Sequence, residues 1–184
     1  LTDVTGVQTC ALPILILMSN SHTKYDMNSL RMITYGTEAM PLSLLERLKE
    51  AFPKAKLLQT FGTSETGIAT TSSKSSNSTF MKIDSTDLDY KIVDNELWLK
   101  SKTQVLGYLN ASMESFSDDG WFKTGDLVEV DNDGYLKIIG RAKEVINVGG
   151  EKVLPCDVES VILQMPQILR SEERRVGKEC RSRW

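Results

Sequence analysis

Apolar positions divide this chain into two regimes. From residue 30 to residue 61 they form short runs separated by a helical period. Residues 30–35 read as an apolar strand ending at Gly36, and Pro41 opens a helix whose Leu44, Leu45, Leu48 and Phe52 recur at helical spacing. Residues 57–61 then read as a second strand. Strand, helix and strand over this length make a parallel crossover, the unit of a doubly wound α/β sheet. Ligands of such sheets bind beyond the carboxyl ends of the strands, where Gly36 and Gly62 fall.

Residues 69–78, ATTSSKSSNS, form a polar low-complexity run that reads as a loop or linker. From residue 80 the period changes to two, and residues 80–83, 88–93 and 96–100 read as strands. Residues 127–130 and 135–139 alternate around Asp131-Asn132-Asp133-Gly134, a strong hairpin signal. Trp98 and Trp121 read as strand residues of the core. Beyond Gly140 come two short strands around Gly149-Gly150, then a helix from Pro155 through Leu163 that Pro166 ends. The fold class implied is α/β plus β: the C-terminal part of a doubly wound α/β domain, a small antiparallel β subdomain, and the start of a small α+β domain.

Charge beside glycine marks the candidate chemistry. Phe122 and Leu127 flank Thr124-Gly125-Asp126, which reads as a strand running into a tight turn with the Asp126 carboxylate at its rim. A carboxylate there accepts two hydrogen bonds at once, as a sugar diol offers. The second hairpin strand delivers Gly140-Arg141 to the same neighbourhood in sequence. His22, the only histidine, stands in a polar stretch without an obvious partner and reads as a solvated loop residue.

Both termini break with the rest of the chain. Residues 170–184 crowd arginines, glutamates and a cysteine without apolar period and resemble a translated sequencing adapter, as residues 1–14 resemble the opposite one. Of 22 Lys and Arg, 6 lie in the tail; of 25 Asp and Glu, 3 lie there and Asp3 lies in the head. The 16 basic and 21 acidic groups that remain give a net of about −5, which leaves no nucleic-acid footprint. Cys10 and Cys180 also fall in the ends, so Cys156 alone remains, which excludes a disulfide framework and fits a reduced, cytoplasmic protein. The apolar run at residues 12–18 is too short for a transmembrane segment and lacks the basic flank of a signal peptide. Gly177-Lys178 lies inside the adapter-like tail and is given no role.

Five segments, in order and at characteristic spacing, resemble the core motifs of the adenylate-forming, AMP-binding superfamily, which includes acyl-CoA synthetases and peptide-synthetase adenylation domains. They are Tyr35-Gly36-Thr37-Glu38-Ala39-Met40, Phe61-Gly62-Thr63-Ser64-Glu65-Thr66-Gly67, Asn95-Glu96-Leu97 through Gly107-Tyr108, residues 119–126, and residues 140–159. The similarity spans roughly residues 30–168. VGGEKVLPCDVE is more similar to acyl- or aryl-CoA ligases than to peptide-synthetase domains.

The resemblance implies a two-step reaction. A carboxylic acid, fatty or a related acyl acid, attacks the α-phosphate of ATP and pyrophosphate leaves, and the acyl-adenylate then passes its acyl group to coenzyme A with release of AMP. Transfer to a carrier-protein pantetheine is the alternative chemistry, and a non-catalytic nucleotide-binding module the alternative of another class. Carried over by motif, Asp126 holds the ribose hydroxyls and Arg141 reaches the ribose or phosphates. Glu65 binds the Mg²⁺ that bridges the phosphates, and Gly36, Thr37, Glu38, Phe61, Gly62, Thr63 and Ser64 frame the nucleotide. Lys143 is the hinge of the small C-terminal domain, Gly149 and Gly150 line the thiol's approach, and Lys152 touches ATP. Ser64 stands where the family usually has Thr, and Thr37 where it usually has Gly. The implied domains are an α/β AMP-binding subdomain at 15–72, a β subdomain at 73–139, a hinge at 140–143 and the start of the C-terminal domain at 144–169. Family members are several times longer, so the chain reads as a fragment, inactive alone and poorly soluble through open sheet edges.

Overall fold

The computed structural model describes residues 11–36, 40–165 and 168. Thr37, Glu38, most of the 1–14 head and the whole 170–184 tail therefore lie outside the described residues.

The α/β part opens with helix α1 (Ala11–Met18), which runs through the boundary expected at residue 14, and the short helix α2 (Ser21–Lys24). Strand β1 (Met32–Tyr35), helix α3 (Leu42–Ala51) and strand β2 (Lys56–Gln59) follow as the expected crossover. β1 and β2 are parallel, in register from Met32 opposite Lys56 to Tyr35 opposite Gln59. Leu44, Leu45 and Leu48 of α3 drop onto this pair with Tyr35, Phe52 and Leu57, burying one apolar face as helical spacing requires. His22 is not a solvated loop residue: it sits on α2 with its ring edge-on to Phe52, the ring centres 6.0 Å apart.

Two expectations fail here for one reason. The strand expected at 57–61 breaks at Thr60, whose backbone N–H and hydroxyl both donate to the Tyr35 carbonyl, at 2.7 and 3.1 Å. The chain then turns into β3 (Phe61–Thr63), antiparallel to β4 (Gly67–Ala69). The polar run at 69–78 is not a free linker, since Thr71–Ser73 form strand β5. Its hydroxyls serve the open edge of β2. Thr71 donates to the Gln59 carbonyl at 2.6 Å, and Ser73 accepts from the Gln59 N–H at 2.9 Å. Side chains satisfy backbone groups that a further strand would otherwise pair.

The larger sheet has six strands in the order β5-β6-β10-β9-β8-β7, with β6 (Met81–Ile83), β7 (Leu88–Val93), β8 (Glu96–Ser101), β9 (Phe122–Val130) and β10 (Leu136–Arg141). Every pairing is antiparallel. Asp94 and Asn95 both take positive φ in the β7–β8 turn, as a tight hairpin of matching twist demands. Leu97, Leu99, Met81, Val128 and Leu136 fill the inner face. Trp98 and Trp121 are on the opposite face, contrary to the sequence expectation. Lys91 lies 5.0 Å and Lys123 5.5 Å from the Trp98 ring centre, and Lys91 lies 4.5 Å from that of Trp121. The indoles are covered by lysine stems and ammonium groups, not by core.

A single 3₁₀ turn (Ala142–Glu144) leads from β10 into the hairpin β11 (Ile146–Val148) and β12 (Glu151–Val153), then α4 (Pro155–Ile162). Leu154 sits 3.1 Å from where a Cβ on Gly140 would stand, and the Cys156 thiol donates to the Ile139 carbonyl at 2.7 Å, so α4 begins against the end of β10. No helix among the described residues is long and apolar enough to cross a membrane.

Candidate functional site

Asp126 is set by a bulge, not by the tight turn its sequence suggests. Between Glu96 opposite Leu127 and Trp98 opposite Lys123, two steps along β8 face four along β9. The surplus falls on Thr124-Gly125-Asp126, where Gly125 takes a φ of 75°. Three hydrogen bonds fix this bulge. Thr124 Oγ1 donates to the Leu97 carbonyl at 2.7 Å, the Gly125 N–H donates to Glu96 Oε1 at 2.8 Å, and the Asp126 N–H donates to Thr124 Oγ1 at 3.0 Å. The outcome is a carboxylate turned inward, with Asp126 only 6% exposed.

A second bulge brings the cation. Between Ile138 opposite Val128 and Gly140 opposite Leu127 the register of β10 slips by one residue, which sets Arg141 directly opposite Asp126. The Arg141 Nε lies 3.3 Å from Asp126 Oδ1, while the arginine side chain stays 59% exposed. Burial pushes the Asp126 carboxyl above its usual range; Arg141 pulls it back, and Glu144 and Glu96 raise it further. A buried carboxylate with an open guanidinium at its mouth accepts hydroxyl donors on one side and attracts phosphate on the other.

Glu65 stands in the turn between β3 and β4, where Thr66 donates its N–H to Thr63 Oγ1 at 3.1 Å and shares a 2.9 Å hydroxyl contact with it. Its Oε1 accepts from the Tyr108 hydroxyl at 2.8 Å and its backbone carbonyl from the Val105 N–H at 2.9 Å. Oε2 has no protein partner among the described residues, which leaves a hard oxygen donor free for a divalent cation. The described residues hold no cluster of three or more His, Cys, Asp or Glu able to cage a metal. One carboxylate is what a Mg²⁺ carried on phosphates asks of a protein.

The other expected residues divide. Gly36 and Gly62 serve close backbone approach. A Cβ on Gly36 would stand 1.8 Å from the Thr60 carbonyl oxygen, and one on Gly62 2.8 Å from both the Gly67 oxygen and the Ile68 Cα. The Phe61 ring is packed in the core, 7% exposed, so only its backbone is left to face a ligand. Thr63 is engaged with Thr66, and Ser64 is exposed. Lys143 is exposed on the 3₁₀ turn, and Lys152 lies opposite Asn147 in a hairpin paired with no other sheet. Gly149 and Gly150 make the turn of that hairpin with φ of 60° and 95°. The structure thus joins Asp126 to Arg141 and adds Glu96, Thr124 and Tyr108, none of which was a candidate from sequence. All three lie within the motif segments, and an isolated glycine inside a strand pattern is itself the signal of a bulge.

The model of the AMP-binding enzyme family matches residues 4–109, more than half of the chain. The chain belongs to that family. The match begins inside the head read as adapter-derived. Among curated members, the chain is 30% identical to 4-coumarate–CoA ligase-like 2 of Arabidopsis thaliana over 179 residues, covering 85% of this chain and 32% of that protein. It is 31% identical to peroxisomal OPC-8:0-CoA ligase 1 of the same plant over 180 residues, covering 85% and 33%. The chain spans about a third of the length of these AMP-binding relatives. Among solved structures, o-succinylbenzoate CoA synthetase from Bacillus subtilis, in complex with its acyl-adenylate intermediate, matches with a TM-score of 0.69 at 27% identity, over 89% of this chain and 36% of that one. The anthranilate CoA ligase AuaEII, in complex with anthranoyl-AMP, shares the fold with a TM-score of 0.72 at 24% identity, over 90% and 35%.

Proposed function

We propose that this chain is the nucleotide-gripping part of an ATP-dependent, AMP-forming ligase that activates a carboxylic acid, fatty or a related acyl or aryl acid, and transfers it to coenzyme A. The observation that carries the reading is the cross-strand pair of a buried Asp126 and an open Arg141, each set by its own bulge. The carboxylate takes the two ribose hydroxyls and the guanidinium the adjacent phosphate charge. The nucleotide is thereby held with its α-phosphate presented for in-line attack. Glu65 offers Oε2 to Mg²⁺, which when bound neutralises charge on the phosphates. Lys143, two residues past Arg141, is the hinge at which the small domain changes its pose between the half-reactions. Gly149, Gly150 and Lys152 ride on that domain, with its start at 144–169, after the α/β part at 15–72 and the β subdomain at 73–139.

Acid-dependent exchange of labelled pyrophosphate into ATP, measured on the complete gene product, tests the reading. Wild type supports exchange and then acyl-CoA formation, and Asp126→Ala abolishes both. Exchange that survives Asp126→Ala, or its absence with any carboxylic acid in a broad panel, overturns it. Acylation of a pantetheinylated carrier protein without acylation of coenzyme A moves the acceptor, not the first step.

A further inference from the structure

The loop after β8 does something unusual with its apolar residues. Leu106 is 104% and Leu109 99% exposed, yet Tyr108 between them turns inward. A segment that leaves two leucines in water is not anchored by the hydrophobic effect at its tyrosine alone. What Tyr108 reaches is a carboxylate, Glu65, 43 residues earlier in the chain, through an O–H to O⁻ bond of 2.8 Å. Three residues before Tyr108, the Val105 N–H holds the backbone of the same glutamate.

The phenol is stiff and well seated. Its ring leans on Phe116 with centres 5.9 Å apart, and Phe116 leans on Phe122 at 5.1 Å. Phe122 opens β9, the strand that carries Asp126. Three aromatic rings therefore connect the Glu65 turn to the strand of the ribose carboxylate. A glutamate at a turn samples many rotamers, and a ligand for a cation needs one of them.

We propose that Tyr108 is a positioning residue: by bonding Oε1 it fixes the Glu65 carboxylate so that Oε2 faces the metal–phosphate group, an inference that rests on the metal reading of Glu65. This is the role that second partners of metal ligands play, and their removal commonly lowers metal affinity 10- to 100-fold.

The test uses the complete gene product in three variants, Tyr108→Phe, Glu65→Gln and the double variant. Tyr108→Phe keeps the ring and its seat on Phe116 while deleting the donor. Calorimetric titration of Mg²⁺ into protein saturated with a non-hydrolysable ATP analogue gives the metal affinity. The expected result is an affinity about tenfold weaker in Tyr108→Phe. Glu65→Gln should be at least as weak, the double variant no weaker than Glu65→Gln, and KM for the acid unchanged in Tyr108→Phe. Weak metal binding in Glu65→Gln with normal binding in Tyr108→Phe overturns the role of Tyr108 and leaves Glu65 a ligand. Normal binding in Glu65→Gln removes the metal reading and this inference with it. A Tyr108→Phe protein that melts earlier yet binds Mg²⁺ normally shows a merely structural tyrosine and also overturns the proposal.

Discussion

Asp126→Asn separates what the bulged carboxylate does for ligand from what it does for the fold. The substitution keeps volume and one acceptor oxygen but removes the charge and the second acceptor. A hydrogen bond to a charged group contributes about 1.5–3 kcal/mol, so losing one charged acceptor and weakening the other costs about 3 kcal/mol of nucleotide binding, or roughly 100-fold in affinity. Stability moves little. The pair with Arg141 is open on the arginine side, at 59% exposure, and such screened pairs contribute about 0–1 kcal/mol. Against that loss, the substitution relieves a carboxylate whose burial disfavours its charge. The sign of the pH dependence follows. A carboxyl raised in the folded state contributes stability that is present below the ordinary aspartate value of 3.8 and is lost as pH rises through the folded value. Asp126→Asn should therefore gain on wild type as pH rises through that window and hold the gain at neutrality. Urea unfolding from pH 4 to 7 and calorimetric ATP titration on the complete gene product read both quantities. A variant destabilised by more than about 2 kcal/mol at pH 7 with unchanged ATP affinity would show Asp126 to be structural and refute this reasoning.

Two further outcomes are expected. Lys143→Pro should spare acid-dependent pyrophosphate exchange and suppress acyl-CoA formation by an order of magnitude or more, since it stiffens the hinge alone; loss of both half-reactions together removes the hinge assignment. Glu96→Ala should lower the unfolding free energy by about 1–3 kcal/mol and weaken ATP in parallel, because the Gly125 N–H loses its acceptor and the bulge its shape; equilibrium unfolding at unchanged ATP affinity would show that the bulge does not depend on Glu96.

Much of the architecture was legible because burial follows periodicity. Leu44, Leu45 and Leu48 announce the crossover helix, and Asp131-Asn132-Asp133-Gly134 announces the hairpin, each through local pattern alone. What misled were features decided across strands. A period of two says which residues share a face but not which face is inside, and β8 carries large apolar groups on both: Leu97 and Leu99 on one, Trp98 on the other. The choice rests on Lys91 and Lys123 lying opposite Trp98 in neighbouring strands, a fact of register that no single strand contains. Within the polar run at 69–78 the strand at Thr71–Ser73 is hidden because its hydroxyls bond the edge of β2, a partner invisible from composition. The site divides in the same way. Asp126, Arg141 and Glu65 stand out as candidates by motif and chemistry, whereas the bonds of Tyr108 to Glu65 and of Gly125 to Glu96 join residues 43 and 29 apart in the chain.

The central claim is that Asp126 grips the sugar of a nucleotide whose phosphate charge Arg141 faces. Comparing ATP with 2′,3′-dideoxy-ATP in wild type and Asp126→Asn tests it most directly, since the two ligands differ only in the hydroxyls at issue. Wild type should bind the dideoxy analogue roughly 100-fold more weakly, as expected for lost hydrogen bonds to a charged acceptor, while Asp126→Asn should barely distinguish the two. Equal discrimination by both proteins would place the sugar elsewhere and contradict the account.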